Sequence, residues 1–232
     1  TAPFHRLAVS TRCIRVSSDH RRTVMVSFHV DPHYSRIDEV VPGLFLSGVT
    51  ALNPSTMEEH EITYIINATK EVPNIRALGG HIARDKLWLD DTCEQDILQH
   101  LEFQADKIAA LLSEGHHVLV HCVAGVSRSA SIVLAYLTKY ACRSLRDAYD
   151  LLAAKRPMVR PNLGFWRQLI AFEEMTKKAV SSVKLIPDEA QEGHYLPDVY
   201  LAEVAAQIAP GRRSPKTSKF RPVLPALSEI VA

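Results

Sequence analysis

The chain is poor in the features that mark secreted, membrane-spanning and nucleic-acid-binding proteins. Its 232 residues contain only four cysteines, none of which form a CxxC pair. This favours a reducing compartment over a disulfide framework. No apolar run approaches the roughly 20 residues that a membrane-spanning helix needs. The net charge is +1, so no overall field attracts nucleic acid. We therefore expect no membrane span, no nucleic-acid partner, and a cytoplasmic location, with the nucleus as an additional one.

The two ends of the chain differ in composition from its middle. Residues 1–18 contain three arginines, several serines and threonines, and no acidic residue. Such a composition fits a flexible basic extension or a mitochondrial transit peptide, and we favour the first because the pattern is purely compositional. Thr23 to Val30 alternates apolar and polar residues and predicts an extra edge strand. Residues 210–225 are rich in Pro, Ser and basic residues, which is typical of a disordered tail.

Between these ends, strand and helix patterns alternate. Four strands are predicted, directly after a turn at Pro42-Gly43, at Thr63–Asn67, at Leu87–Leu89 and at Val118–His121. Helices are predicted at Pro54–Glu61, Gln95–Leu112, from Ser127–Ser129 onward, at Ser144–Lys155 and from Pro161-Asn162 onward. The alternation predicts the α/β class, with a central, mostly parallel sheet flanked by helices on both faces. Ligands of such sheets bind at the carboxyl ends of the strands.

The most informative stretch joins the last of these strands to a helix through a short loop. Val118 to His121 is a β-branched apolar run, typical of a buried strand. The loop that follows begins with Cys122 and ends with Arg128. Isolated cysteines after a strand are usually inert buried thiols. That interpretation does not explain the spacing seen here, in which a cysteine and an arginine are separated by five residues between a strand and a helix.

This arrangement has the chemistry of a phosphate site. Backbone N–H groups of a loop at a helix N-terminus form an anion cradle, here from Val123, Ala124, Gly125, Val126, Ser127 and Arg128. Gly125 permits backbone angles that other residues resist. The N–H groups, the helix dipole and Arg128 are expected to hold Cys122 as thiolate, the nucleophilic form. Arg128 offers a planar fork for two phosphoryl oxygens. Ser129 can donate a hydrogen bond to the Cys122 sulfur when that sulfur leaves a covalently bound phosphoryl group.

The run His-Cys-Val-Ala-Gly-Val-Ser-Arg-Ser at 121–129 resembles the signature loop of cysteine-dependent protein tyrosine phosphatases. Its Ala-Gly-Val-Ser-Arg-Ser-Ala form is similar to the dual-specificity branch, and the resemblance is strongest to the small atypical dual-specificity phosphatases. It extends over about residues 36–200. We therefore expect an N-terminal extension at 1–35, a single catalytic domain at 36–180 and a C-terminal extension at 181–232.

The resemblance also implies a general acid on the loop after the third strand, where Asp90 and Asp91 stand side by side. The family pattern of an acid followed by Thr, Ser or Met matches Asp91, which we favour over Asp90. Because adjacent loop residues point in different directions, only one of the two is expected to face the site. The alternative is that Asp90 and Asp91 are both ordinary solvated aspartates. Asn162 resembles a family position that braces the loops around the pocket. His121 ends a buried strand and is expected to order the loop rather than to transfer protons.

The expected function is hydrolysis of phosphotyrosine and phosphoserine or phosphothreonine in protein substrates, without metal or cofactor. One alternative keeps this chemistry on a phosphoinositide, a glucan phosphate or an RNA 5′-phosphate. Another is a non-catalytic phosphoprotein-binding scaffold, which loss of the Cys, the Arg or the acid would mark. Cys93 could form a disulfide with an oxidised Cys122 or be an ordinary loop thiol. The sequence leaves the oligomeric state open.

Overall fold

The computed structural model describes residues 34–188 and 193–201. The chain divides into two units between Val199 and Tyr200. The basic N-terminal segment at 1–18, the edge strand predicted at Thr23–Val30 and the basic end at 210–225 lie outside the described residues. The following paragraphs concern the first unit.

Strands and helices alternate along this unit. The strands are β1 Ile37–Val41, β2 Leu44–Gly48, β3 Tyr64–Asn67, β4 Ala83–Lys86, β5 Val118–Cys122, β6 Leu185–Pro187 and β7 Tyr195–Pro197. The α-helices are α1 Pro54–Glu59, α2 Leu98–Ser113, α3 Arg128–Tyr136, α4 Leu145–Lys155 and α5 Leu163–Lys177. A π-helical turn, Leu137–Ala141, follows α3, and 3-10 turns occur at Val49–Ala51 and Arg76–Leu78. A last 3-10 turn, Asp198–Tyr200, contains the boundary between the two units.

Five of the strands form one sheet in the order β1-β2-β5-β3-β4. Strand β1 pairs antiparallel with β2, whereas the β2–β5, β5–β3 and β3–β4 pairs are all parallel. The prediction of a central, mostly parallel sheet is confirmed. Because β2 to β5 run in the same direction, their carboxyl ends meet at one edge of the sheet. Strand β5 ends there at Cys122.

Both faces of the sheet are covered. Alternate side chains of the strands point to opposite faces. Phe45, Ile65 and Leu119 join a buried cluster with Met57 of α1. Against the other face pack the longer helices α2 and α3, which contact β5. Strand β5 is fully buried, as the apolar run at its start predicts for a central parallel strand.

Two strands differ from the sequence prediction. Leu87–Leu89, predicted as a strand, is not one. The strand of this region is β4, which lies just before it at Ala83–Lys86. The β4 sequence is polar and charged because this strand forms an edge of the sheet. The apolar run was misleading because Leu87 and Leu89 are buried on a turn, closed by a hydrogen bond from Leu89 N to Leu87 O. Strand β1 was not predicted.

The helix predictions are confirmed to within a few residues at their ends. The helix predicted at Gln95–Leu112 begins at Leu98, and the one predicted at Pro54–Glu61 ends at Glu59. Ser144 caps α4 by accepting a hydrogen bond from Asp147 N.

Of the helices in residues 34–188 and 193–201, none combines the length and the apolar composition that crossing a membrane requires.

Candidate active site

The loop that joins β5 to α3 turns its backbone carbonyls outward. The carbonyls of residues 122 to 127 each accept a hydrogen bond from the protein around the loop. In loop order, the donors are His121 Nδ1, Val49 N, Arg156 Nη2, Arg156 Nε, Arg160 N and Ser131 N, at 2.8 to 3.3 Å. In a trans peptide unit the N–H points away from the carbonyl. The amides of residues 123–128 therefore face the inside of the loop, which is the orientation that an anion cradle requires.

Gly125 lets the loop close tightly against the sheet. Its φ is +68°, a left-handed conformation that favours glycine. A Cβ at this position would lie 2.6 Å from the backbone of Ser47 and 2.7 Å from Arg156 Nη2. A Cβ does not make contacts this short, so any larger residue would push the loop away from β2. The glycine is required by the backbone angle and by the space.

Cys122 lies at the floor of this loop. Its side chain is buried, and its Sγ accepts hydrogen bonds from Gly125 N at 3.2 Å and from Ser129 Oγ at 3.1 Å. Both hydrogen bonds fix the position of the sulfur. The structure thus places Ser129 beside the sulfur, where the sequence predicted it.

Arg128 is buried at the first position of α3, and one side of its guanidinium is occupied. Nη1 donates to Glu71 Oε2 at 2.7 Å and to Leu89 O at 3.0 Å. Nε makes no hydrogen bond although it is buried; it lies 3.5 Å from Asp91 Oδ2. Burial alone would lower the pKa of Arg128, but the neighbouring Cys122 sulfur and Glu71 carboxylate raise this pKa above its ordinary value. The guanidinium is therefore a fixed cation with an N–H available to a ligand.

The two candidate acids have different surroundings. Asp90 pairs with Lys70 at 2.9 Å, and both side chains are substantially exposed. Asp91 instead reaches the signature loop, where its Oδ1 accepts a hydrogen bond from Ser127 Oγ at 2.6 Å. Its other oxygen, Oδ2, is the one that lies near Arg128. The structure brings Asp91, not Asp90, to the site.

Asn162 ties the acid loop to the start of α5. Its Oδ1 caps the helix by accepting from Phe165 N at 2.9 Å, while its Nδ2 donates to Asp91 Oδ1 at 3.0 Å and to Thr92 O at 3.2 Å. The loop backbone also packs closely there, since a Cβ on Gly164 would lie 2.0 Å from Cys93 O. The acid loop is thus docked against the helix N-terminus. Cys93 is exposed and Cys122 buried, and both thiols are free.

His121 is a buried residue of the loop support. Its Nδ1 lies 3.3 Å from Cys122 O, which can only accept, so the ring nitrogen donates. Burial lowers the pKa of His121 to about 4, and the ring is therefore neutral near pH 7. These observations agree with the expectation that His121 orders the loop and does not act as a general base.

Two residues around the site were not predicted from the sequence. Arg156, at the end of α4, is fully buried and bonds two loop carbonyls as well as Asp38 Oδ2. Glu71, on the loop after β3, holds Arg128. The position of Glu71 after a parallel strand could have indicated it, since such loops surround the site. An arginine at a helix end carries no comparable signal, because most are solvated.

Comparisons with known proteins cover the same region. A family model described as the catalytic domain of dual specificity phosphatases matches residues 44–175. Human dual specificity protein phosphatase 14 is 38% identical over 170 residues, which cover 69% of this chain and 85% of that protein. Human dual specificity protein phosphatase 21 is 39% identical over 143 residues, which cover 61% of this chain and 74% of that protein.

Among solved structures, the crystal structure of human DUSP28 superimposes with a TM-score of 0.58 at 30% sequence identity. The match covers 61% of this chain and 95% of that chain. The region matched by the family model includes Glu71, Asp91, the loop 122–128, Arg156 and Asn162.

Proposed function

The chain belongs to the dual-specificity phosphatase family, and from this premise we propose that Cys122 is the nucleophile with which it hydrolyses phosphotyrosine and phosphoserine or phosphothreonine in protein substrates. The observation that carries the proposal is the outward orientation of six consecutive loop carbonyls around a buried sulfur. The inward amides, the N-terminus of α3 and the cationic guanidinium of Arg128 all favour a tetrahedral dianion above Cys122.

In the first step, the Cys122 thiolate attacks the phosphorus. An S–P bond forms while the P–O bond to the substrate breaks, and its electron pair stays on the departing oxygen. Asp91, protonated at this stage, gives its proton to that oxygen. The inward amides and Arg128 hold the three equatorial oxygens and stabilise their negative charge as the displacement proceeds.

In the second step, water cleaves the cysteinyl phosphate. Asp91, now a carboxylate, takes a proton from the water as its oxygen attacks phosphorus. The S–P bond breaks, its electron pair returns to sulfur, and inorganic phosphate leaves. The hydroxyl of Ser129, 3.1 Å from Sγ, stabilises the thiolate as it departs.

The same loop could act on a non-protein phosphomonoester. This alternative is not favoured, because Val123, Ala124 and Val126 are uncharged and the similar proteins are named as protein phosphatases. A scaffold without catalysis is disfavoured, since the Cys, the Arg and the acid are all present.

The test is a panel of phosphotyrosine, phosphothreonine, phosphoinositide and glucan substrates, assayed with purified protein. We expect turnover of the phosphopeptides, and none by Cys122→Ser, whose hydroxyl keeps its proton at neutral pH. Asp91→Asn should lower kcat about 10²- to 10⁴-fold, the usual contribution of general acid–base catalysis. The matched control is Asp90→Asn, which removes the adjacent carboxylate. It breaks only the exposed ion pair with Lys70 and should change kcat little. An active Cys122→Ser enzyme would refute the proposed nucleophile, and turnover of lipid or glucan alone would refute the substrate class.

We extend the proposal to location. A thiolate nucleophile has to stay reduced, and the described cysteines Cys93, Cys122 and Cys142 are free, so a reducing compartment such as the cytoplasm suits the chemistry. Imaging the full chain with a C-terminal fluorescent tag tests this, and mitochondrial import would favour the transit-peptide alternative.

A further inference from the structure

The hydroxyl of Ser127 connects the signature loop to the acid loop. Ser127 is 6% exposed. Its Oγ receives a hydrogen bond from Asn162 N at 3.2 Å and lies 2.6 Å from Asp91 Oδ1. A backbone N–H can only donate, so it occupies an acceptor position of the hydroxyl. The hydroxyl proton is therefore directed to Asp91.

This contact makes the two oxygens of Asp91 unequal. Oδ1 accepts from both Ser127 Oγ and Asn162 Nδ2, at 2.6 and 3.0 Å. An oxygen that already accepts two hydrogen bonds is a poor position for a proton. Oδ2 is the oxygen on the side of Arg128, 3.5 Å from Nε. A proton on Oδ2 is thus on the side where the phosphoryl group is held.

We propose that Ser127 is a positioning residue for the general acid, because its hydroxyl holds Oδ1 of Asp91 and so keeps the transferable proton on Oδ2. The proposal rests on the proposed function and adds the orientation of the acid to it. In the first step the proton passes from Oδ2 to the departing oxygen, and in the second Oδ2 takes a proton from water. Ser127 keeps its own proton throughout and does not touch the substrate through its side chain.

The backbone of Ser127 is anchored independently of its hydroxyl. Its carbonyl accepts from Ser131 N at 2.9 Å and from Ser131 Oγ at 2.8 Å. Removal of the Ser127 hydroxyl therefore leaves the start of α3 in place. The expected effect is on proton transfer, with the phosphate cradle intact.

The test compares leaving groups. In Ser127→Ala, we expect kcat/KM for phenyl phosphate to fall about 10- to 100-fold, a part of the full effect of general acid catalysis. With p-nitrophenyl phosphate, whose leaving group needs a proton less, the loss should be about threefold or smaller. Ser127→Thr keeps the hydroxyl and should restore most of the activity on phenyl phosphate. Ser181→Ala is the matched control, because Ser181 is as buried as Ser127 but donates its hydroxyl to Glu173; it should show no dependence on the leaving group.

A double-mutant comparison separates positioning from a structural effect. If Ser127 acts through Asp91, then Ser127→Ala should change kcat/KM for phenyl phosphate less than about twofold in an Asp91→Asn background. Full additivity, or equal losses with both leaving groups, would overturn the proposal. Should Asp91→Asn itself leave activity on phenyl phosphate unchanged, the acid of the proposed function is wrong. A Ser127→Ala enzyme of normal activity beside a crippled Asp91→Asn enzyme would refute the positioning role alone. Thermal unfolding of each variant verifies that it is folded.

Discussion

Arg156 holds the carbonyl of Gly125 with its Nε at 2.8 Å, although it lies 31 residues further along the chain. Nη2 of the same guanidinium donates to Ala124 O at 2.9 Å. The two carbonyls are thereby fixed on the outside of the loop, and the amides of the next residues are fixed on its inside. Arg156 thus shapes the phosphate cradle without touching phosphate.

Arg156→Lys is expected to weaken the cradle. An ammonium group is a single point charge and does not reproduce the planar fork that reaches both carbonyls and Asp38. Hydrogen bonds to charged groups contribute about 1.5 to 3 kcal/mol each, so the free energy of unfolding should fall by about 2 to 5 kcal/mol. The loop amides would then no longer be fixed toward phosphate. If this costs the equivalent of one hydrogen bond to phosphate, competitive inhibition by inorganic phosphate should weaken at least about 10-fold. Urea unfolding and inhibition kinetics measure the two effects.

Asp38→Asn is the matched control for Arg156→Lys. It removes the negative charge 2.6 Å from Arg156 Nη1 but leaves the bonds from Arg156 to the loop carbonyls. We expect lower stability with phosphate inhibition less affected than in Arg156→Lys. Equal weakening of inhibition by both variants would show that the ion pair, not the carbonyl contacts, maintains the cradle.

Glu71→Gln is expected to impair the orientation of Arg128. The carboxylate fixes Nη1, which leaves Nε for a ligand. An amide keeps an acceptor but loses the charge, so we expect kcat/KM on a phosphotyrosine peptide to fall about 10-fold, equivalent to about 1.4 kcal/mol. Glu71→Ala should lose more. Glu58→Gln, at an exposed position of α1, removes the same charge away from the site. A Glu71→Gln enzyme as active as this control would contradict the role of Glu71.

The sequence was sufficient for the part of the site that is local in the chain. Cys122, the cradle and Arg128 lie in one continuous loop, so residue types and spacing alone indicate their chemistry. The position of this loop, between a buried strand and a helix, follows from the change in hydrophobic period along the chain. These features need no knowledge of tertiary contacts.

The remaining features depend on contacts between distant parts of the chain. Nothing in the neighbourhood of Arg156 indicates that it is buried, because its partners belong to β1 and to the loop after β5. Asp90 and Asp91 are the same residue type, and only the resemblance to the family favoured Asp91. In the structure Asp90 pairs with Lys70, whereas Asp91 contacts Ser127 and Asn162. Strand β4 was misplaced because an edge strand shows no apolar pattern while the buried turn after it does.

Asn162 has two functions that substitutions can separate. Asn162→Ser keeps a good helix cap, since serine and asparagine cap almost equally well, but it loses the Nδ2 donor to Asp91 and Thr92. We expect little change in the melting temperature and about a 10-fold loss of kcat/KM on phenyl phosphate, a part of the effect of the acid. Asn162→Ala should lose as much activity and also about 1 kcal/mol of stability through the cap. If the loss of activity followed the loss of stability, the bracing of Asp91 would be refuted.

His121 connects the site to the pH dependence of folding. It is buried beneath the signature loop, and burial lowers its pKa to about 4 from the ordinary value of 6.5. A hydrogen bond to the Cys122 carbonyl acts in the opposite direction, while Lys86 and Arg128 lower this pKa further. The folded protein therefore keeps His121 neutral at pH values where the unfolded chain binds a proton.

The free energy of unfolding should consequently fall as the pH drops from about 6.5 to about 4, since the unfolded state gains a proton that the folded state rejects. Above this window His121 makes no contribution to the slope, and below it the full penalty is present. The shift corresponds to about 3 kcal/mol at most. His121→Gln keeps a donor for the carbonyl but does not titrate, so its stability should depend on pH less steeply across this window. The control is His81→Gln, at an exposed position, which should keep the slope of the unsubstituted protein. Urea unfolding at a series of pH values measures all three, and identical slopes for His121→Gln and the unsubstituted protein would contradict the assignment.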